Sequence, residues 1–249
     1  MKMMKNIFQK FNDKLWIVSL TTLAILLALL LIPNAQAEDS STVNANQHDG
    51  DDQSKSKVRI EEWKNLLNSS TSMNELDKLQ LVNSFFNKIP YASDMTHWGK
   101  EEYWATPEEL INSNGGDCED FAIAKFLTLI QLGVSEEKLR LTFVKMLGGN
   151  IASLKDLLEG KLKAGSSVNF DPDSSHMVLV YYPSPESDPL ILDNAVKSIE
   201  SGSMRSDLKP IIAFNNDNVW EIKNWSQNEL YLGNANLIDT WRKFKIRLQ

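Results

Sequence analysis

The sequence predicts an α+β fold in which helices of the N-terminal half precede the short strands of an antiparallel sheet. Two observations carry this prediction. Apolar residues recur at helical spacing as far as residue 130, and beyond residue 139 short β-prone runs alternate with turn segments. Because the helices come first and the strands later, the strands are expected to pair antiparallel rather than in βαβ units. With 249 residues, 42% of them hydrophobic, the chain is long enough for one cored domain with accessory segments.

The first 37 residues have the pattern of a secretory signal peptide. Four lysines precede an apolar run at residues 15–32, and Ala35-Gln36-Ala37 is a small-residue cleavage site. The alternative is an uncleaved membrane anchor, because the apolar run approaches the length that crosses a bilayer. Both alternatives place the rest of the chain outside the cytoplasm.

Residues 38–57 are polar, with almost no apolar side chains, and predict a disordered linker before a domain at residues 58–249. The formal net charge is −7, and removal of the first 37 residues makes the chain still more acidic. An acidic surface repels phosphate backbones, so the composition argues against nucleic-acid binding.

Helical periodicity and capping signals place the predicted helices. They are expected at residues 58–67, 74–89, 106–114, 118–130 and 237–246, with an aromatic, irregular segment at 91–105 and an extra helix at 151–163. The helix after Thr106 has a capping box, with Pro107 at its first position and Glu109 three residues after the threonine. Gly115-Gly116 is expected to turn the chain, and Asp117 to cap the next helix.

Strands are predicted in the second half of the chain. They are expected at residues 139–144, 177–182, 190–192, 211–214 and 219–222. The segment 183–189 has hairpin-turn composition, so the second and third of these strands are expected to form a hairpin.

Cys118 is the single cysteine of the chain, at the predicted start of a helix. A helix N-terminus stabilises a thiolate, and its free N–H groups can bind an oxyanion. The alternative is a buried structural cysteine, which packs as a small hydrophobe. The cysteine count alone favours neither reading.

His176 begins the predicted strand 177–182, and Asp193 follows the predicted strand 190–192. A hairpin of these two strands would make His176 and Asp193 cross-strand neighbours. This is the geometry in which a carboxylate fixes the tautomer of a catalytic histidine. Taken singly, a surface histidine and a turn aspartate are the commoner outcome.

Three carboxylates, Asp117, Glu119 and Asp120, flank the thiol of Cys118. Their charge disfavours a thiolate, so a nucleophile at this position needs a compensating cation. A bound Ca²⁺ takes carboxylate oxygens and would supply that charge, although the segment is not an EF-hand loop. The residues alone favour the simpler reading, in which Asp117 caps the helix and the other two carboxylates complement its dipole.

Five segments resemble the bacterial transglutaminase-like cysteine proteinases. They are Tyr-Trp-Ala-Thr-Pro-Glu-Glu at 103–109, Gly-Gly-Asp-Cys-Glu-Asp-Phe-Ala-Ile-Ala-Lys at 115–125, Leu-Arg-Leu-Thr at 139–142, His-Met-Val-Leu at 176–179 and Leu-Asp-Asn at 192–194. The resemblance extends over roughly residues 60–220, and the segment around Cys118 is the most specific. The stretch 148–174 is longer than this family leads one to expect.

The resemblance implies a papain/transglutaminase-like fold, with an N-terminal helical lobe whose nucleophile helix packs on an antiparallel sheet. It implies Cys118 as nucleophile, His176 as base and acid, and Asp193 as the orienting carboxylate. It also implies calcium at Asp117 and Glu119, together with Asp120. Such enzymes are periplasmic, release large biofilm adhesins from the cell surface by cutting near the adhesin N-terminus, and are sequestered by an inner-membrane cyclic-di-GMP receptor.

Two other functions are compatible with these residues. A transglutaminase or amidase would use the same three residues on a side-chain amide. A non-catalytic binding module would use the aromatic segment 91–105 as a docking surface, although that segment can equally belong to the core.

Overall fold

A computed structural model describes residues 46–70, 72–147, 175–225 and 229–248, with side chains from residue 54 onward. The predicted signal peptide and the helix predicted at 151–163 lie outside the described residues. Internal contacts group the chain into two units, residues 1–53 and 54–249. In the first unit, the description is limited to the beginning of one helix. Among the described residues, no helix combines the length and the apolar character needed to span a bilayer.

Six α-helices lie in the described residues, five of them before the sheet and one after it. They are α1 (Asn46–Ser69), α2 (Glu75–Phe86), α3 (Asp94–His97), α4 (Pro107–Ser113), α5 (Cys118–Gln131) and α6 (Asp239–Arg247). The start of α4 has the predicted capping box, since Thr106 Oγ1 accepts from the Glu109 N–H while Glu109 Oε2 accepts from the Thr106 N–H. The predicted start of α5 is also confirmed, with Asp117 at its N-cap.

Within the described ranges, seven strands form one antiparallel sheet with the order β4-β3-β2-β1-β5-β6-β7. They are β1 (Leu139–Met146), β2 (Ser175–Tyr181), β3 (Leu190–Leu192), β4 (Glu200–Ser201), β5 (Leu208–Phe214), β6 (Asn218–Ile222) and β7 (Glu229–Asn234). The two edge strands, β4 and β7, were not predicted, because β4 has two residues and β7 has exposed side chains without alternation. The α+β prediction is confirmed by this arrangement.

Helix α1 begins at Asn46, so the prediction of a disordered linker is corrected over residues 46–57. This part of the helix has no apolar stripe that periodicity would reveal. Polar contacts hold the chain here instead: Ser56 Oγ donates to Asn112 Oδ1 at 2.7 Å, and Arg59 Nε donates to the Ile111 carbonyl at 2.9 Å. Contacts to a helix some fifty residues away cannot be seen in local composition.

The core lies on both faces of the sheet. On one face, aromatic rings from α5, α6 and the segment before α4 meet rings from β1 and β5; the members are Trp104, Phe126, Phe143, Phe214, Trp241 and Phe244. On the other, alternate residues of β2 join neighbouring strands in a second buried cluster that contains Val144, Met146, Val178, Val180, Tyr182, Ile191 and Leu208. Because β2 is covered on both faces, its first residues are held in a fixed position.

Candidate active site

Cys118 is the first residue of α5 and is partly exposed. The two glycines before it are explained by close packing. A Cβ on Gly115 would lie 2.7 Å from His97 Cε1, and one on Gly116 would lie 2.6 Å from Asp120 Oδ2. The left-handed residue that ends α4 is Asn114, with φ of 54°. The two glycines therefore let the chain before α5 pack closely against His97 and Asp120, and Asn114 supplies the left-handed turn.

Cys118 lies near the start of β2. A hydrogen bond from the backbone N–H of Met177 lowers the pKa of its thiol, and Met177 directly follows His176. Helix α5 packs on β2 and β1, so the contact belongs to the interface between the helix and the sheet. The structure thus brings Cys118 and the backbone beside His176 together from segments that are 58 residues apart in sequence.

His176 and Asp193 form a buried pair, with 2.8 Å between His176 Nε2 and Asp193 Oδ1. The register pairs Leu179 with Leu192, so Asp193 continues β3 at a position diagonal to His176 rather than directly opposite. The other ring nitrogen, Nδ1, is buried and has no hydrogen-bond partner among the described residues. With Nε2 directed to the carboxylate, Nδ1 is the nitrogen available to a thiol.

Asp193 has hydrogen bonds at both carboxylate oxygens. Oδ1 also accepts from the Ala195 N–H at 2.9 Å, and Oδ2 accepts from Arg205 at 2.8 Å. Burial raises the pKa of Asp193, but the charge and hydrogen bond of His176 and the charge of Arg205 outweigh it and hold the pKa well below its usual range. Asp193 is therefore a buried carboxylate that stays ionised. Sequence reasoning missed Arg205, which lies outside any motif.

A cluster of three carboxylates lies near the thiol. One oxygen atom from each of Asp94, Asp117 and Glu119 can be chosen so that all lie within 4.8 Å of one another. Glu119 Oε2 is also 3.1 Å from the sulfur of Cys118. Asp94 was not predicted; it begins the short helix α3 inside the segment expected to be irregular.

Asp120, which the sequence assigned to the metal, lies outside this cluster of three. Its Oδ1 accepts from the Ala105 N–H at 2.6 Å, and its Oδ2 accepts from the Asp117 N–H at 3.2 Å. The side chain is fully buried. Asp120 therefore joins the start of α5 to the segment before α4, and both its oxygens are already engaged.

The cluster of Asp94, Asp117 and Glu119 is short of positive charge. Burial and the charge of Glu119 raise the pKa of Asp94 to about 7 and that of Asp117 to about 11. Oδ1 of Asp94 and Oδ1 of Asp117 are buried without a hydrogen-bond partner among the described residues. A cluster of three carboxylates that contains such unpartnered oxygens fits a hard divalent cation such as calcium.

The thiol is affected by the same charges. Burial, the charge of Glu119 and the charge of Asp117 raise the pKa of Cys118 well above its ordinary value. The Met177 N–H opposes this effect without cancelling it. Without a cation at the cluster, the sulfur is therefore a poor nucleophile at neutral pH.

Comparison with known proteins decides the family. Residues 47–154 match the sequence profile of the bacterial transglutaminase-like cysteine proteinases. Two solved structures of Legionella pneumophila LapG, one EGTA-treated and one calcium-bound, are 33% and 32% identical to the chain. Each covers 83% of this chain, with TM-scores of 0.62 and 0.58, and the match spans 98% and 100% of the respective LapG chain. The chain belongs to this family of cysteine proteinases.

A third structure of Legionella pneumophila LapG is 32% identical, covers 83% of this chain and is itself covered over 97%, with a TM-score of 0.61. A search of curated protein sequences gives no significant match. The profile match includes Cys118 but ends before His176 and Asp193. The roles of these three residues therefore rest on geometry and on the resemblance of their segments, and they stay predictions.

Proposed function

We propose that this proteinase is a calcium-dependent cysteine endopeptidase of the periplasm, with Cys118, His176 and Asp193 as its catalytic residues. The observation that carries the proposal is the buried His176–Asp193 pair. His176 Nδ1 has no hydrogen-bond partner among the described residues, and the next residue, Met177, lowers the pKa of Cys118 through its backbone N–H. A nucleophile, a base and a group that orients the base are the three parts that covalent catalysis of this kind requires.

The proposed reaction has two halves. His176 Nδ1 accepts the thiol proton as the sulfur attacks the scissile carbonyl, and the free N–H groups at the start of α5 bind the resulting oxyanion. The imidazolium then gives its proton to the leaving amine, the C–N bond breaks, and a thioester remains on Cys118. Water, deprotonated by the same imidazole, attacks the thioester; the C–S bond breaks and the thiol recovers its proton.

The proposed calcium ligands are Asp94, Asp117 and Glu119, whose oxygens already lie together. Support comes from the unpartnered Oδ1 atoms of the two aspartates and from the relative whose structure is calcium-bound. When bound, calcium offsets the negative charge that disfavours the thiolate. The sequence-based ligand set is thereby revised, with Asp94 in place of Asp120.

The proposed substrate is a large cell-surface biofilm adhesin, cut in its N-terminal region, and the proposed regulator is an inner-membrane cyclic-di-GMP receptor that sequesters the proteinase. Both proposals, and the periplasmic location, rest on the family resemblance and on the signal-peptide pattern of residues 1–37. Because the net charge of the chain is −7, nucleic acid is not among the proposed partners.

The test is incubation of the purified protein with N-terminal fragments of giant surface adhesins from the same genome, with calcium or with EGTA. We expect cleavage with calcium, strong inhibition by EGTA, and no cleavage by Cys118→Ala with either. The variant should unfold at nearly the wild-type temperature in calorimetry, because it removes only one sulfur atom from a partly exposed position. Cleavage by the alanine variant would end the proposal.

Two further measurements separate the alternatives. Stable incorporation of a labelled amine into an acceptor protein would favour a transglutaminase over a peptidase. Iodoacetamide at neutral pH with calcium present tests for a binding module, because Cys118 is the single cysteine and its alkylation is read directly as a mass increase. A thiol that stays unmodified under these conditions would favour a module with a structural cysteine.

A further inference from the structure

Arg205 connects the aspartate of the proposed catalytic residues to the loop before β5. It follows the short 3-10 turn Gly202–Met204, and its side chain is 6% exposed. One terminal nitrogen, Nη2, lies 2.8 Å from Asp193 Oδ2 and 2.9 Å from Asp207 Oδ2. Nε lies 2.9 Å from Asp207 Oδ1, so Arg205 makes a two-bond fork with Asp207 and a further bond to Asp193.

The two oxygens of Asp193 are held from different elements. Oδ1 accepts from His176 on β2 and from the backbone of Ala195, while Oδ2 accepts from Arg205. A carboxylate held at one oxygen alone can rotate about its Cβ–Cγ bond and exchange the atom that faces the imidazole. Arg205 supplies the bond that opposes this rotation.

We infer that Arg205 is a positioning residue of the reaction: it fixes the Asp193 carboxylate so that Oδ1 stays on His176 Nε2 and Nδ1 stays available as the base. This inference rests on the proposed function, because it gives the histidine a catalytic role. Arg205 itself touches neither the thiol nor a substrate.

Arg205 contacts two carboxylates, although one counter-ion is enough to balance its charge. Asp207, whose side chain is 43% exposed, already supplies a counter-ion to the guanidinium through a two-bond fork, yet Nη2 also contacts a second, fully buried carboxylate, while Nη1 has no partner among the described residues. A buried ion pair is weak evidence for stability, since desolvation of both groups offsets the attraction. An orienting role explains why the second contact is made.

Asp193 also faces a cation from α5. Lys125 is fully buried and interacts with Asp193 through its charge, but its Nζ has no hydrogen-bond partner among the described residues. A charge without a hydrogen bond cannot fix a carboxylate plane. The directional contact at Oδ2 belongs to Arg205.

The test compares Arg205→Met, Arg205→Lys and Arg140→Met at saturating calcium. The first readout is the rate of alkylation of Cys118 by iodoacetamide, which needs no identified substrate. We expect Arg205→Met to lower this rate about 10- to 100-fold, the scale typical of residues that orient an active-site group. Arg205→Lys keeps one donor toward Asp193 and should recover part of the rate.

Arg140→Met is the matched control. Arg140 is a largely buried arginine of β1, and its side chain is 12% exposed. It pairs with Glu229 of β7 at 3.7 Å and covers the Trp220 ring of β6, and these two strands lie at the end of the sheet away from β3. Its loss should lower the temperature of unfolding and leave the alkylation rate close to wild type. This separates loss of stability from loss of positioning.

Two further readouts are specific to an action through Asp193. In an Asp193→Asn background, Arg205→Met should reduce the rate no further, because the group that it orients is already removed. In ¹⁵N NMR spectra of the histidine side chains, wild type should show the His176 proton on Nε2, and Arg205→Met should show a mixture of tautomers.

The inference and the proposed function fail in different ways. If Arg205→Met leaves both the alkylation rate and the His176 tautomer unchanged, or if its effect adds fully to that of Asp193→Asn, the positioning role is wrong while the peptidase stands. If wild-type Cys118 does not react, or if Cys118→Ala still cleaves the adhesin fragment, the proposed function fails.

Discussion

The candidate site contains two kinds of buried carboxylate, and they differ in how their charge is balanced. Asp193 is fully buried, has hydrogen bonds at both oxygens, and has a pKa well below its usual range. Asp94 is almost as deeply buried, yet its Oδ1 has no partner among the described residues and its pKa is raised to about 7. The same side chain at the same depth thus has opposite proton affinity.

The difference lies in the origin of the positive charge. The chain itself supplies the guanidinium of Arg205 and a hydrogen bond from the His176 ring to Asp193. Near Asp94 and Asp117, most of the charged neighbours are other carboxylates. The hydrogen bond from the Tyr103 N–H and the charge of Lys100 lower the pKa of Asp94 but do not compensate them. The negative charge of Asp193 is balanced by groups of the chain itself. The cluster of Asp94, Asp117 and Glu119 fits a cation that the protein binds from solution. Substitutions in the two groups of carboxylates should therefore have different effects.

Replacing Asp193 by Asn should have the largest effect. The amide removes the negative charge beside His176 and can present its NH₂ group to the ring, which favours the wrong tautomer. Substitutions of this kind lower kcat by about 10³- to 10⁴-fold. Steady-state cleavage of the adhesin fragment measures the loss. Asp207→Asn is the control, because it removes a carboxylate from the same arginine without touching the histidine, and it should cost far less.

A loss as large in Asp207→Asn as in Asp193→Asn would show that the buried aspartate has no special role. The contrast would then reduce to a general need for negative charge around Arg205.

The pairing of His176 with Asp193 follows from local patterns in the sequence. Alternation and turn composition predict the hairpin of β2 and β3, and the hairpin brings His176 and Asp193 together. The capping box of α4 and the start of α5 are also set by neighbouring residues, so they were predicted at the right positions. Patterns of this kind depend on neighbouring residues and on a hairpin whose paired ends, His176 and Asp193, are only 17 residues apart.

Asp94 and Arg205 could not be predicted, because tertiary contacts place them. Asp94 lies in a four-residue helix that is held by the backbone N–H of Tyr103 and by the pairing of Tyr91 with Gly116. The family resemblance implied Asp120 as a metal ligand. Its two oxygens accept backbone N–H groups that no motif reveals.

Asp94→Asn should weaken calcium binding by at least about tenfold, because affinity in such sites depends on the number of charged ligands. The same change relieves repulsion with Glu119, so the calcium-free variant should be at least as stable as the calcium-free wild type. Calorimetry with calcium and with EGTA measures both effects. For the wild type, calcium at 100 times its dissociation constant should add about 2.7 kcal/mol to the free energy of unfolding.

Asp120→Asn is the control for the calcium prediction. The amide nitrogen cannot accept a hydrogen bond, so the N–H of Ala105 or Asp117 loses its partner at a cost of about 1–3 kcal/mol. The temperature of unfolding should fall, while the increment on calcium addition should persist. If Asp120→Asn abolishes the increment and Asp94→Asn preserves it, the revised ligand set is wrong.

The smallest expected effect concerns Lys125, the cation behind Asp193. Burial lowers the pKa of Lys125 to about 7, against 10.5 for a free lysine, and the charge of Asp193 opposes this only in part. Between these two values the unfolded chain binds more protons than the folded one, so this group makes the protein more stable as the pH rises. Below pH 7 both states are protonated and the contribution no longer changes.

Lys125→Met removes this titration and keeps an apolar side chain of similar length in the core. The difference in unfolding free energy between wild type and variant should therefore change in favour of wild type from pH 7 to pH 9, by at most about 1.4 kcal/mol per pH unit. Urea unfolding at pH 6, 7, 8 and 9 measures it. A constant difference would mean that Lys125 stays charged throughout, with Asp193 as an effective counter-ion, and that the buried aspartate is balanced by Lys125 as well as by Arg205.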